Sequence, residues 1–462
     1  MASRQNDNAM TSASSGTEAL NLLAWVRRQG WLQPIYRLLP ERLRQRAANV
    51  LKARSRRRLQ FHKTAAWASP LPSLPAGQLP LSRLDVAPLA LDIYGFIRGQ
   101  FGLGESVRLY ARALIAAGCE VALHDVDLNL RHGWNDRSLE AFIRDESVHD
   151  VSIIFINPDC FEQALDKIGR HRLAGKYVIG CWFWELETVP TSWQQALDDV
   201  DAIMVASDFV GAGFRKVTSK PILKVPLPLS VVPDSGLARS DFGLEEESFV
   251  FLTTFDFNSH VARKNPHAVI AAFREAFPVE RQDVRLLVKS SNGNWHDESL
   301  RVLLQAGGGD PRIIYRDEII DRAHVRALQR CCDAYVSLHR AEGFGLGLAE
   351  CMELGKPVIA TGWSGNLEFM TPDNACLVDY RLIPVGTGEY PDGDGSLWAE
   401  ADLPSAVAAM KRLADSPAEA RKLGLRAQAH VRAALSPVNA ADLLIAQVMS
   451  ATGRHASATH FA

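Results

Sequence analysis

Long apolar runs, paired cysteines and an appreciable net charge are what this 462-residue chain lacks. No stretch of eighteen or more apolar residues occurs, so no segment reaches the length that a membrane-crossing helix needs. The first thirty residues show no basic stretch leading into an apolar core and a cleavage site, so no secretion leader is expected. The seven cysteines, at 119, 160, 181, 331, 332, 351 and 376, are odd in number and include no Cys-x-x-Cys pair. That argues against a disulfide framework and against structural zinc, and fits a reducing cytosol. With 47% hydrophobic and 23% charged residues the chain is no disordered tail, and its length suits two or three globular domains.

The formal charge of −2 conceals an asymmetry, because residues 1–63 carry 13 Lys and Arg against 3 Asp and Glu, whereas the remainder carries 38 against 50. A basic arm precedes an acidic body. Between Glu18 and His62 the arm mixes Leu22, Trp25, Trp31 and Tyr36 with Arg42, Arg44, Arg46, Lys52 and Arg54 to Arg58. Such a segment, 18–63, suits peripheral contact with an anionic membrane surface. A helical extension docked on the body with its arginines in water fits the same pattern. The acidic body and the lack of an RNA- or DNA-binding motif speak against nucleic acid.

Residues 64–88, with Pro70, Pro72, Pro75, Pro80 and Pro88, are expected to be a linker. From Leu89 onward short apolar runs alternate with amphipathic stretches: Leu89 to Tyr94, Val121 to Val126, Val151 to Ile156, Tyr177 to Trp184, Ala202 to Ala206 and Ile222 to Val225. The alternation restarts after Pro226, Pro228 and Pro233 with Phe249 to Phe255, Val284 to Ser290, Arg312 to Tyr315, Ala334 to His339 and Pro357 to Thr361. Nearly continuous apolar strands between helices signal parallel sheets covered on both faces. The expected class is α/β, two doubly wound domains at 89–230 and 231–415 facing across a cleft, with C-terminal helices at 416–462 packing back across them. Ligands of open α/β sheets bind at the carboxyl ends of the strands, so the loops there are where chemistry is sought.

Four such loops carry candidate residues. The stretch His339-Arg340-Ala341-Glu342-Gly343-Phe344-Gly345-Leu346-Gly347-Leu348-Ala349-Glu350 follows a strand and enters a helix, where unpaired N–H groups favour phosphate or sugar oxygens. Glu342 and Glu350 add acceptors at two depths. Gly362-Trp363-Ser364-Gly365-Asn366 repeats the strand-to-helix logic, and two adjacent anion-binding turns suggest a diphosphate. Arg263 and Lys264, before Asn265-Pro266, place two cations at a strand end, and Lys289 is a further one. In the first domain, Gly99, Gly102 and Gly104 form a loop for a phosphate or an acceptor. The partial Gly102-x-Gly104-x-x-Val107 fingerprint, with Asp125 downstream, lacks its third glycine and starts too late after the strand for dinucleotide binding. Finally, Trp182-Phe183-Trp184-Glu185-Leu186-Glu187 offers rings that either stack on sugars or pack between domains, beside two carboxylates.

The chain resembles the retaining, nucleotide-sugar-dependent glycosyltransferases of family 4 (glycosyl transferases group 1), whose two-Rossmann-domain fold is called GT-B. The resemblance rests on Glu342 to Glu350, a Glu-x7-Glu motif with a Gly-Phe-Gly core, and on Gly-Lys-Pro-Val-Ile-Ala at 355–360. It implies a first domain on the acceptor side and a second on the donor side. Glu342 would lie near the donor sugar and Glu350 at the nucleoside ribose. Gly343, Phe344, Gly345 and Leu346, with Gly365 and Asn366, would line the sugar-diphosphate site, and Lys264 would bind the diphosphate. The family's arginine ahead of that lysine falls near Asn258 here, so Arg263 is its expected substitute. Where many members place a histidine in the first domain this chain has Trp184-Glu185, and Glu185 or Glu187 is the expected counterpart.

The implied reaction is metal-independent hexosyl transfer to a hydroxyl acceptor with retained anomeric configuration. No cofactor beyond the nucleoside-diphosphate sugar co-substrate is expected. The acceptor would be a glycan or lipid-linked glycan of cell-surface polysaccharide or lipopolysaccharide synthesis, placing the protein in the cytoplasm or at the inner membrane face. A nucleotide-sugar epimerase, a sugar phosphorylase and a non-catalytic scaffold subunit remain alternatives.

Overall fold

The computed structural model describes residues 57–69, 89–229 and 233–453. The first domain holds β1 (Ala90–Gly95), β2 (Glu120–Asp125), β3 (Val151–Phe155), β4 (Tyr177–Cys181), β5 (Ala202–Val205) and β6 (Ile222–Lys224). They form one parallel sheet in the order 2-1-3-4-5-6. Its helices are α1 (Gly102–Ala116), α2 (Phe161–Ile168), α3 (Gln194–Asp198) and α4 (Asp208–Arg215). β3 is buried at every residue, as a strand sandwiched between helix layers must be, which is why its sequence lacks polar alternation.

The second domain repeats the plan with β7 (Phe249–Asp256), β8 (Val284–Ser291), β9 (Ile313–Asp317), β10 (Ala334–Ser337), β11 (Val358–Thr361) and β12 (Cys376–Val378). They are parallel in the order 12-11-10-7-8-9. Its helices are α5 (Val261–Lys264), α6 (Pro266–Ala276), α7 (Asp297–Ala306), α8 (Arg322–Cys331) and α9 (Leu346–Glu353). Strand order reverses between β1 and β3 in one sheet and between β7 and β10 in the other, so crevices open beyond those carboxyl ends.

Three helices complete the described residues. α10 (Leu403–Asp415) packs on α6 and α11 (Pro417–Ala434) on α9, both in the second domain. α12 (Pro437–Ala451) returns to the first domain, lying on α1 and β6. The crossing is fixed by Leu229 N–H donating to Leu435 O at 2.9 Å and Gln447 Nε2 to Lys224 O at 2.9 Å.

Two features differ from the sequence expectations. An antiparallel hairpin, β13 (Tyr380–Pro384) with β14 (Leu397–Ala401), is absent from them because β13 is largely exposed and presents no apolar run. Thr64 and the short helix Ala65–Ala68, expected as the opening of the linker, dock on the second domain together with the residues before them. Phe61 is 4% exposed, and Trp67 packs on Phe242 and His324 with its indole N–H donating to Asp241 O at 3.1 Å. Lys63 pairs with Glu318 at 2.8 Å. The rest of the basic arm, and the prolines of the linker, lie outside the described residues.

Candidate donor site in the interdomain cleft

A cleft of about 1120 Å³ runs between the domains, lined by the loops after β1, β3 and β4 on one side and after β7, β8 and β10 on the other. Its second-domain wall is organised by the start of α9. Gly345 caps this helix with φ +96°, a left-handed conformation that an L side chain strains to adopt, and a Cβ there would also meet Leu348 at 2.8 Å. Residues 343–348 line the cleft, so the start of α9, where the Leu346 and Gly347 N–H groups precede the first bond to Gly345 O from Leu348, opens toward a ligand.

Glu342 stands just before that turn and is 8% exposed. Its carboxylate takes hydrogen bonds from Lys264 Nζ at 2.5 Å and Arg263 Nη1 at 3.3 Å. Burial alone would raise its pKa, but the charges of Lys264 and Arg263 outweigh burial and hold it at about 2. Arg263 also donates to Ala341 O at 3.0 Å and faces Glu185 of the first domain at 3.5 Å. The Glu185 carboxylate in turn accepts from the Tyr390 hydroxyl at 2.5 Å. Two cations and two carboxylates from three distant segments therefore meet at the centre of the cleft.

Deeper along the cleft, Glu350 on α9 accepts from both Arg322 on α8 and Gln329, the latter at 3.0 Å. Arg322 reaches Glu105 of α1 at 3.4 Å, and Glu105 pairs with Arg108 at 2.8 Å. This chain of charges joins the domains beside the glycine loop. Arg108 Nη1 donates to Ile97 O and Gly99 O, fixing that loop from behind.

The structure brings together Glu185, Arg263, Lys264, Glu342, Gly343, Phe344, Gly345, Leu346 and Glu350 on the cleft lining, with Gly102 and Lys289. Gly365 and Asn366, expected at the diphosphate, lie behind the loop instead. Gly365 N–H donates to Glu342 O at 2.8 Å, and Asn366 is wholly buried with its amide donating to Thr361 O at 3.0 Å. The remaining Asn366 oxygen takes a hydrogen bond from buried His339 at 3.1 Å, while Ser337 Oγ faces the other imidazole nitrogen at 3.1 Å. These residues buttress the glutamate loop.

Gly99 and Gly104 are likewise set back, where a Cβ on Gly104 would meet Gly99 O at 2.3 Å. Asp125 accepts from Arg98 N–H at 3.0 Å and from the Trp134 indole at 3.1 Å. Trp182 and Trp184 pack in the core against Phe161 and Trp193, leaving Phe183 as the ring of that segment on the cleft. Glu187 is not among the lining residues. Arg322 and Tyr390 were missed because their partners are 28 and 205 residues away, a separation at which no local pattern survives.

Two doubly wound domains facing across a charged cleft define the GT-B class of architecture. Residues 249–387, most of the second domain, match the family model described as Glycosyl transferases group 1. A trehalose synthase from Rubrobacter xylanophilus is 26% identical over 205 residues, and the match spans 43% of each protein, less than half of either. The fold is shared with Anabaena HepE, solved with UDP and glucose, at 14% identity and a TM-score of 0.57, covering 78% of this chain and 99% of that one. It is shared equally with sucrose-phosphate synthase from Thermosynechococcus elongatus, at 16% identity and 0.57, covering 79% and 100%.

Proposed function

We propose that this protein is a retaining glycosyltransferase that moves a hexose from a nucleoside-diphosphate sugar to a hydroxyl acceptor. The observation that carries the reading is the Arg263–Lys264–Glu342 cluster beside the open first turn of α9. In the reaction the bond from the anomeric carbon to the diphosphate oxygen breaks, and a bond to the acceptor oxygen forms on the same face. The acceptor proton passes to the departing diphosphate. The transition state resembles an oxocarbenium ion parting from an anion, so fixed positive charge at the diphosphate stabilises it. Lys264, Arg263 and the α9 N-terminus supply that charge, and on this reading no resident cofactor or metal is needed.

The UDP and glucose held by Anabaena HepE make uridine the first nucleoside to try. The expected product, followed by proton NMR with UDP-glucose and simple glycoside acceptors, keeps the anomeric configuration of the donor, and EDTA leaves the rate unchanged. An inverted product, or a rate that collapses on chelation, would contradict this. The acceptor we favour is a surface polysaccharide or lipid-linked glycan, because the basic residues of 18–63 suit an anionic membrane face. Full-length protein should then float with anionic liposomes at low salt and not at high salt; salt-independent absence from the vesicle fraction would remove the membrane part of the reading.

A further inference from the structure

The sugar end of the cleft has a charge pattern that bears on which donor it accepts. Arg263 is 5% exposed, and its guanidinium is already shared among Ala341 O, Glu342 and Glu185. Lys264 is committed to Glu342 and, on the reading above, to the diphosphate. Around them stand three carboxylates from separate loops: Glu342, Glu185 and Asp159, which lines the cleft within reach of the Glu185 charge. With two cations already matched by two carboxylates, an incoming diphosphate leaves this end with excess negative charge. Hydroxyl groups find acceptors here, whereas a carboxylate on the sugar adds to that excess of negative charge.

We propose that Glu185, clamped by Tyr390, is a specificity-determining residue that admits neutral hexosyl donors and excludes hexuronosyl ones. The proposal rests on the donor-site reading. Tyr390 is a positioning residue: it comes from the 385–396 segment between β13 and β14, packs on Trp184 and Trp398, and reaches across the cleft to fix the carboxylate at 2.5 Å. Discrimination built from repulsion needs the charge held in place, since a free glutamate would swing toward solvent.

The test begins by titrating UDP, GDP, ADP and dTDP calorimetrically to find the base, then compares that nucleotide's hexose and hexuronate derivatives. The parent protein should bind the hexose form at least about tenfold more tightly, the scale of a like-charge penalty. Glu185→Gln keeps the hydrogen bond to Tyr390 and removes the charge. It should bring the two donors within about threefold of one another while the nucleoside diphosphate alone binds as tightly as before. Tyr390→Phe should raise the hexose KM and narrow the hexose-to-hexuronate ratio with kcat near the parental value, a change that loss of packing alone would not produce. Equal binding of both donors by the parent, or an undiminished gap in Glu185→Gln, overturns the proposal while leaving the donor site standing. If none of the four nucleoside diphosphates binds, the donor site falls and this inference with it.

Discussion

Lys264→Ala is expected to lower kcat by about 10²–10³, the usual cost of removing one fixed charge from a site where an anion develops. The ammonium is held on Glu342 at the cleft wall beside the first turn of α9. No other lysine contacts that carboxylate among the described residues. The fold should tolerate the change because Glu342 keeps its pairing with Arg263 and the Lys264 side chain is partly exposed. A parental melting curve combined with the lost turnover would assign the loss to chemistry. Parental turnover would remove Lys264 from the site.

Gly365→Ala should damage stability and activity together. A Cβ at this position would stand 2.1 Å from Gly343 O and 2.7 Å from Glu342 O, so the two backbones must part. Side-chain rotation cannot relieve a clash with carbonyl oxygens, and forced overpacking of this kind costs about 1–3 kcal/mol or more. The displacement would also break the Gly365 N–H bond to Glu342 O and shift the glutamate loop away from Lys264. Gly102→Ala is the matched control, since nothing lies within 4 Å of its added Cβ. Thermal melts should show Gly365→Ala several degrees below the parent and Gly102→Ala beside it; coincident melts for all three would contradict the packing described for the loop.

The strands were legible because burial on both faces leaves a nearly unbroken apolar run, as in Val151–Phe155, and the glutamate loop was legible because its glycines mark a strand-to-helix turn. What escaped detection depends on distance or exposure. The β13 strand of the β13–β14 hairpin is largely exposed and has no apolar run to announce it, so Tyr390, carried between the two strands, went unseen. Arg322 is one arginine among many until the fold sets it between Glu350 and Glu105. Gly365 and Asn366 were placed on the ligand because their motif resembles a binding turn, yet the same glycine that admits a ligand also admits a neighbouring backbone. Here the neighbour is the Glu342–Gly343 segment. Trp182 and Trp184 followed the same logic, since a ring suited to a sugar is equally suited to a core, and the first domain needed bulk beneath β4.

The central claim is that Lys264, Arg263 and the α9 N-terminus form the diphosphate subsite with Glu342 as the opposing charge. Calorimetric titration of the nucleoside diphosphate into the parent, Lys264→Ala and Glu342→Gln proteins tests it most directly. The account predicts binding by the parent, binding weakened by about tenfold or more in Lys264→Ala, and binding undiminished in Glu342→Gln, where both cations are released toward the ligand. Equal affinity in the parent and Lys264→Ala, or weaker binding in Glu342→Gln alone, would contradict it.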